Sequence, residues 1–252
     1  MGVVNIKGID VYYQHVPGDS KQGSLLYIHG SGGSHEVWHQ QMKLGPNSFA
    51  LDLPGHGESG GTAATSIDQA AVSVMDFISV GQLPRPLYLV GHSMGAAIAL
   101  TCALNYPQML DGIVLIGAGQ RMKVMPSLLD DLGQGKHNPD FIRLAFSPQT
   151  SEPMVASRVK IFSQASPAVL YADFAACNNF DVSEKLGEIA LPALVIVGVD
   201  DKLTPLKLSQ YIASHISNSR LEVIDAAGHY VMIEKPAEVN KLILDFYSQR
   251  DG

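Results

Sequence analysis

A serine that could act as a nucleophile lies at the centre of residues 91–95, which read Gly-His-Ser-Met-Gly. The apolar run before Ser93 is typical of a strand, and the alanine-rich run after it favours a helix. A strand that turns into a helix within one residue strains the backbone and exposes the hydroxyl, and glycines two positions away avoid Cβ clashes. The Met94 amide would then lie at a helix N-terminus, where it can stabilise an oxyanion. The pattern indicates acyl transfer.

The same five-residue pattern occurs again at residues 57–61, around Ser59. Average composition produces roughly 0.1 such matches by chance in a chain of this length, so the pattern alone is weak. Ser59 lies several residues past a predicted strand, in a loop already interrupted by Pro54 and Gly55, and no helix follows it directly. We therefore predict that Ser93 is the nucleophile and that Ser59 belongs to a loop.

A serine nucleophile needs a base, and histidine, with an ordinary pKa of about 6.5, suits that role near neutral pH. Of the nine histidines, His229 lies late in the chain, in a loop after a predicted strand and directly behind a glycine. A carboxylate must fix the tautomer of that imidazole. Asp201, beside Asp200 in the loop after the preceding strand, can do so, because open α/β sheets place their ligands at such strand ends.

A zinc site is the competing interpretation of residues 35–39, which match the pattern H-E-x-x-H. On a helix this spacing puts His35 and His39 on one face, and Glu58 could be a third ligand. The predicted helix is short and follows a glycine-rich loop, so two histidines on an exposed helix face are favoured instead. We predict no metal and no organic cofactor, whereas a zinc peptidase would be inhibited by chelators.

Short apolar runs alternate with amphipathic stretches, which predicts a mostly parallel sheet flanked by helices. The predicted strands are 9–15, 25–28, 48–53, 87–90, 112–116, 193–197 and 221–224. Ser66 and Gln69 form a capping box, which predicts a helix whose apolar face is Ile67, Ala70, Ala71, Val74, Phe77 and Ile78. Pro205 and Pro236 mark the first turns of two further helices.

Residues 120–190 contain no convincing strand and are rich in Met, Phe and Pro. They are predicted to form a helical cap over a core made of residues 1–119 and 191–252. The apolar side chains of this insertion could line a pocket or only attach the cap to the core; they are Met122, Met125, Phe141, Phe146, Met154 and Phe162. His137, in the same segment, could contact substrate.

The composition suits one large domain, since the chain has 252 residues and is 46% hydrophobic. Its net charge of −7, with no basic run, argues against a nucleic-acid partner. It lacks a signal-peptide-like N-terminus and an apolar window of membrane-spanning length, so we expect a soluble, cytoplasmic monomer or homodimer without a membrane partner. Cys102 and Cys177 have no metal-type spacing and are predicted to be buried.

These motifs together resemble the α/β-hydrolase superfamily, specifically its small esterase and lactonase branch with a helical cap. The resemblance extends from about residue 11 to 246 and implies an eight-stranded, mostly parallel sheet. Residues 29–33 are similar to the family's H-G-x loop, which implies Ser31, or alternatively Gly32, as the second oxyanion donor beside Met94. Residues 52–59 are similar to its structural D-x-P-G-x-G-x-S turn, which removes Glu58 as a zinc ligand.

The remaining motifs of the resemblance concern the acid and the base. Residues 198–205 are similar to the family's G-x-x-D-x-x-[TV]-P segment, in which the acid follows the glycine by three positions, and this implies Asp201 rather than Asp200. Gly228 and His229, followed by residues 234–236, match the histidine loop. The position after the sixth strand that some relatives use for the acid, residues 117–120, carries no carboxylate here.

The resemblance implies a serine hydrolase that cleaves carboxylic esters of short to medium acyl chain through an acyl-Ser93 intermediate. The apolar cap and Met94 favour uncharged small-molecule esters. The predicted substrate-binding residues are Gly30, Met122, Met125, Phe146 and Phe162. Two other functions on the same fold stay open: a carbon–carbon bond hydrolase of ring-fission products, and a non-enzymatic ligand receptor that keeps an intact triad.

Overall fold

The computed structural model describes residues 1–136 and 138–248, so His137 lies outside the described residues. It contains one eight-stranded sheet. The strands are β1 (Gly2–Ile6), β2 (Ile9–Val16), β3 (Ser24–Ile28), β4 (Asn47–Leu51), β5 (Leu87–His92), β6 (Gly112–Ile116), β7 (Ala193–Gly198) and β8 (Ser219–Ile224). Their order across the sheet is β1-β2-β4-β3-β5-β6-β7-β8. The predicted eight-stranded α/β sheet is confirmed.

The sheet is parallel from β4 to β8, while β1 and β2 form an antiparallel edge. Every residue of β3, β5, β6 and β7 is buried, which explains their continuous apolar sequences, because helices cover both faces of a parallel sheet. β1 is absent from the strands read off the sequence. Its first four residues alternate between half-buried and exposed and only Ile6 is buried, so it has no continuous apolar run to mark it.

In the described part of the chain, eight α-helices accompany the sheet: α1 (Ile67–Gly81), α2 (Met94–Asn105), α3 (Pro126–Gly133), α4 (Glu152–Gln164), α5 (Pro167–Asn178), α6 (Leu206–His215), α7 (Val231–Glu234) and α8 (Pro236–Ser248). Short 3-10 helices occupy Ser20–Gln22, His35–Trp38, Pro107–Met109, Pro139–Ala145 and Ser183–Glu188. One hydrophobic core joins α1, α2 and α6 to one face of the sheet, and another joins α7 and α8 to the opposite face. Within the described residues, no helix is long and apolar enough to cross a membrane.

The predicted start of α1 is confirmed. The Ser66 hydroxyl accepts a hydrogen bond from the Gln69 amide at 3.2 Å, and the Gln69 side chain accepts one from the Thr65 amide at 3.0 Å. The reciprocal bond therefore reaches one residue further back than in a standard capping box. All six residues of the predicted apolar face are buried.

Between β6 and β7 the chain forms α3, α4 and α5 above the carboxyl edge of the sheet. These helices share a separate hydrophobic cluster: Leu128, Leu132, Ile142, Ala145, Phe146, Val155, Phe162 and Leu170. An isolated bridge between Arg121 and Asp181 joins the two ends of this segment. The segment lies inside residues 120–190, and its treatment as a cap stays a prediction.

Candidate active site

Ser93 lies in a strained turn between β5 and α2, with φ 54° and ψ −114°. A Cβ on Gly91 would lie 2.2 Å from the Gly95 carbonyl oxygen, and a Cβ on Gly95 would lie 2.1 Å from the Ile28 carbonyl oxygen. The backbones of β3, β5 and α2 thus approach so closely that only glycine fits at either position. The turn holds the Ser93 hydroxyl at the carboxyl edge of the sheet, beneath the helices between β6 and β7.

The Met94 amide is the first of α2, so it has no acceptor within the helix. Of the two candidates for the second oxyanion donor, Gly32 is already engaged, because its amide donates to Asp173 Oδ2 at 2.8 Å. The Ser31 hydroxyl lies 3.8 Å from the Met94 sulfur, which brings the two residues together. This geometry favours Ser31 over Gly32 as the partner of Met94.

His229 and Asp201 meet in the loops after β8 and β7. The His229 ring donates from Nδ1 to Asp201 Oδ2 at 2.9 Å, and both side chains are almost completely buried. The Thr204 hydroxyl donates to the same oxygen at 2.7 Å, while the amides of Leu203 and Thr204 donate to Oδ1. Burial acts to raise the pKa of Asp201, but His229 and these hydrogen bonds outweigh it and lower that pKa. Asp201 is therefore a carboxylate at neutral pH.

Asp200 has a different partner, which explains why the two neighbouring aspartates are not equivalent. Asp200 Oδ2 accepts a hydrogen bond from the Ser147 hydroxyl at 2.6 Å. Glu234 accepts from the Gly228 amide at 2.9 Å and from the Ser147 amide at 3.0 Å. Asp200 and Glu234 therefore connect the segment between β6 and β7 to the loops that carry Asp201 and His229.

Sequence reasoning missed His92, whose ring lies 4.7 Å from that of His229. Its Nε2 donates to the His229 carbonyl oxygen at 3.0 Å, so this neutral ring fixes the backbone at His229. Burial, together with the charge of His229, holds the pKa of His92 well below its usual value. The only signal in the sequence was its position directly before Ser93.

The His29 side chain anchors the loop that follows β3. This ring donates from Nδ1 to the Gly30 carbonyl oxygen at 2.8 Å and accepts from the Leu53 amide at Nε2 at 3.2 Å. Burial lowers the pKa of His29 to about 3, so it acts as a neutral bridge between the loops after β3 and β4.

Asp52 organises the turn at residues 52–59. It accepts from the amides of His35 at 2.6 Å and Glu58 at 2.9 Å, and its carbonyl oxygen accepts from the Ser59 hydroxyl at 2.7 Å. The Ser59 oxygen in turn accepts from the Tyr12 amide at 2.8 Å. Ser59 thus belongs to a hydrogen-bonded turn and lies outside the linings of the two cavities that contain Ser93.

The two histidines of the H-E-x-x-H pattern each have a hydrogen-bonding partner within the protein. His35 Nδ1 lies 3.0 Å from Asp52, and the His39 ring donates to the Glu36 carbonyl oxygen at 3.2 Å. His35 begins the 3-10 helix His35–Trp38 and His39 directly follows it, and positions four apart in a 3-10 helix do not share one face. Among residues 1–136 and 138–248, no group of three or more His, Cys, Asp or Glu side chains could hold a metal.

A buried pair between His56 and Asp173 is a second feature that the sequence did not reveal. His56 Nε2 lies 2.8 Å from Asp173 Oδ2, with 3% and 2% of the two side chains exposed. The same oxygen accepts a hydrogen bond from the Gly32 amide, so helix α5, which carries Asp173, fixes the position of the loop after β3. Burial acts to lower the pKa of His56, but the hydrogen bond and charge of Asp173 outweigh it and raise that pKa.

Two cavities meet at Ser93 and His229. The smaller, of about 50 Å³, lies against α4 and is lined by Gly30, Phe162 and Arg158 among others; we call it the arginine cavity. The larger, of about 210 Å³, is lined by Met122, Met125 and Cys177 among others; we call it the methionine cavity. Burial raises the pKa of Cys177 to about 12, so this thiol is neutral.

Four of the five predicted substrate-binding residues line these cavities: Gly30, Met122, Met125 and Phe162. Phe146 is the exception, since it lies outside the described linings of both. Its ring stacks on Tyr230 at 5.2 Å and belongs to the hydrophobic cluster between β6 and β7. An apolar side chain in a cap can serve either purpose, and its position in the sequence does not distinguish them.

Comparison with known proteins agrees with this architecture. The model of the alpha/beta hydrolase family matches residues 25–242. The chain belongs to the alpha/beta hydrolase family. RutD of Agrobacterium fabrum, which carries the name of a carbamate hydrolase, is 30% identical over 92% of this chain and 96% of its own length. A monoacylglycerol lipase of Mus musculus is 24% identical over 88% of this chain and 75% of the lipase.

Solved structures of this family superpose closely. A thermophilic esterase is 31% identical, with a TM-score of 0.85 over 98% of this chain and 97% of the esterase. The enol-lactonase of Burkholderia xenovorans LB400 shares the fold at 18% identity, with a TM-score of 0.90 over 98% of this chain and 100% of the lactonase. The family and its relatives support hydrolysis as the general activity of this chain.

The close approach of backbones around Ser93 predicts that Gly95→Ala is strongly destabilising. The new Cβ would lie 2.1 Å from one carbonyl oxygen and 2.7 Å from the next, and neither can rotate away. We expect a loss of at least about 3 kcal/mol in the free energy of unfolding, measured by denaturant titration. Gly187→Ala is the control, because its Cβ would meet only one atom, at 3.9 Å; it should change stability by less than about 0.5 kcal/mol. Equal effects would contradict the steric argument.

The His56–Asp173 pair predicts a pH-dependent effect of Asp173→Asn. A histidine whose pKa is raised by folding contributes stability that is complete below its unfolded pKa of about 6.5 and is lost as the pH rises through the folded value. The substitution should therefore cost about 1 to 3 kcal/mol near pH 6 and less near pH 9. Thermal unfolding at both pH values measures this difference.

The control for this experiment is Asp140→Asn, which removes a carboxylate that is 79% exposed and paired with Arg143. An exposed pair contributes little, so this variant should differ from the parent by less than about 1 kcal/mol at either pH. An Asp173→Asn penalty that grew toward alkaline pH would show that His56 is not stabilised as a cation.

Proposed function

We propose that this protein is a serine hydrolase that cleaves small carboxylic esters, of short to medium acyl chain, through an acyl-Ser93 intermediate. The observation that carries the proposal is that His229, hydrogen-bonded to the buried Asp201, lines the same two cavities as Ser93. A strained serine, an oriented imidazole and free amides at a helix N-terminus are the parts that acyl transfer requires.

The reaction proceeds in two halves. Ser93 Oγ attacks the ester carbonyl carbon while its proton passes to His229 Nε2, and the resulting oxyanion is held by the Met94 and Ser31 amides. The carbon–oxygen bond to the alcohol breaks as His229 returns the proton to the departing oxygen. Water then attacks the acyl carbon as one of its protons passes to His229. The bond from that carbon to Ser93 Oγ breaks while His229 returns the proton to Oγ, which releases the acid and restores Ser93. Asp201 stabilises the imidazolium that forms in each half.

The size of the cavities supports a small substrate. The methionine cavity measures about 210 Å³, below the roughly 300 to 1,000 Å³ of most ligand pockets. Its walls are largely apolar, from Met122, Val124 and Phe141, and such walls suit a short hydrocarbon chain. We propose further that residues 120–190 form the cap that excludes water from the reacting carbonyl group.

The relatives define which carbonyl compounds belong in a substrate panel. The similarity to a thermophilic esterase supports esters, and the names of RutD and of the mouse lipase add carbamates and monoacylglycerols. Lactones and ring-fission dienones complete the panel, because an oriented Ser-His-Asp set can attack those carbonyl groups as well. A ligand receptor on this fold would instead bind without measurable turnover.

The role of Ser93 predicts that Ser93→Ala loses at least about 10⁴-fold in kcat for ester hydrolysis. Ser73→Ala changes a half-buried serine on α1 that lines neither cavity, and it should keep the parent's rate. An organophosphonate should inactivate the parent, and peptide mapping should find the label on Ser93 and not on Ser59. Retention of the parent's rate in Ser93→Ala would exclude the acyl-serine mechanism.

The different partners of the two aspartates predict a contrast between Asp201→Asn and Asp200→Asn. Asp201→Asn removes the acceptor that orients His229, so kcat should fall by about 10³- to 10⁴-fold. Asp200→Asn breaks only the bond to Ser147 and should lower kcat by less than about 10-fold. Steady-state kinetics on one ester compares them, and the opposite order would show that Asp200 is the acid.

A further inference from the structure

Arg158 is a charged side chain inside the cavity that contains Ser93. It lies on α4 and lines the arginine cavity together with Ser93, His229 and Tyr230. Its side chain is only partly exposed, and burial lowers its pKa from the usual value, which an arginine tolerates without losing its charge. The hydrolysis of an uncharged ester makes no use of a cation at this position.

The guanidinium of Arg158 lacks the partner that such a group normally has. Within residues 1–136 and 138–248, Arg158 makes no salt bridge, and Glu36 and Tyr230 are the groups whose charge acts on it. Arg143, in the same segment, pairs with both Asp140 and Glu152 although it is exposed. Because taking a charge out of water is costly unless it is paired, an unpaired arginine in a cavity indicates a site for an anion.

The other charged side chains around the cavities also favour an anionic ligand. Those that line the two cavities are Arg158, Glu36, Lys123 and Lys202, so cations outnumber anions, whereas the whole chain has a net charge of −7. Glu36 is an exposed residue of the 3-10 helix His35–Trp38 and is the single acid among them. A positive site on a negative protein attracts anionic substrates over neutral ones.

The size of the arginine cavity indicates which anion fits. Its volume of about 50 Å³ is a few times the roughly 10 to 15 Å³ that one water molecule needs on the same measure, so it has room for a small group only. A planar carboxylate matches that space and the two parallel N–H groups of a guanidinium. The larger methionine cavity is left for the uncharged part of the molecule.

We propose that the substrate is an ester that also carries a carboxylate, which Arg158 binds while Ser93 attacks the ester carbonyl of the same molecule. This inference rests on the proposed function and revises the sequence-based expectation of an uncharged ester. Arg158 is then a specificity-determining residue on the cap side of the active site, and the carboxylate orients the ester against Ser93.

The test compares isosteric esters that differ only in charge. In the first pair, the charged monoethyl glutarate and the neutral ethyl 5-methylhexanoate differ on the acyl side of the ester. In the second pair, the charged 4-butanoyloxybutanoate and the neutral 4-methylpentyl butanoate differ on the alcohol side. Acid release is followed by titration. In at least one pair, the parent should hydrolyse the carboxylate ester with a kcat/KM about 10- to 100-fold higher than the neutral ester.

Three variants assign that preference. Arg158→Gln should abolish it by lowering kcat/KM for the carboxylate ester about 10- to 100-fold, with the neutral ester changed less than about 3-fold. Arg158→Lys should keep part of the preference, because it retains the charge but not the planar fork. Lys160→Gln removes the same charge from the exposed side of α4 and should leave the preference intact.

The outcomes separate the two proposals. A parent enzyme that prefers the neutral ester in both pairs, or an Arg158→Gln variant that loses activity on both esters equally, would overturn the carboxylate site and leave the serine hydrolase intact. Failure of the parent to hydrolyse any of the four esters would overturn the proposed function and this inference with it. If Arg158→Gln does not fold, the parent's preference and the Arg158→Lys variant decide the question.

Discussion

Three backbone segments approach one another closely under Ser93, and the position of this serine depends on that approach. Gly91 and Gly95 let β5 and α2 cross so tightly that a Cβ on Gly95 would lie 2.1 Å from the carbonyl oxygen of Ile28 on β3. This contact forces Ser93 into the left-handed region at φ 54° and aims its hydroxyl out of the sheet. Because β7 and β8 run parallel to β5, the loops that carry Asp201 and His229 end at the same edge.

The buried Asp173 and the half-buried Glu234 connect the segment between β6 and β7 to this edge. The Asp173 carboxylate on α5 is hydrogen-bonded to His56 and to the Gly32 amide. The Glu234 carboxylate accepts hydrogen bonds from the amides of Gly228 and Ser147. Each acid therefore links a loop at the carboxyl edge of the sheet to another part of the chain. Charge-assisted hydrogen bonds of this kind are short and directional, so they set loop positions more sharply than apolar packing does. Arg158 differs from these acids, since its side chain lacks such a partner within the described chain.

The predictions that succeeded concern features that are local in sequence. The capping box at Ser66, the apolar face of α1 and the buried parallel strands each follow from periodicity and neighbouring residues. β1 was not predicted, because a half-exposed edge strand has no continuous apolar run. Phe146 was assigned to substrate, but it stacks on Tyr230, because an apolar side chain in a helical segment can face a cavity or a cluster with the same sequence pattern.

The sequence by itself determined the fold class and the chemical types at the strand ends, because glycine spacing and apolar runs are dictated by backbone sterics and burial within a few residues. Only the tertiary structure decided the partners of the polar groups that no motif identifies. Asp200 meets Ser147, and Asp173 meets both His56 and the Gly32 amide, which favours Ser31 as the oxyanion donor. These pairings join residues far apart in the chain, and hydrogen bonds depend on distance and angle that only the packed chain defines.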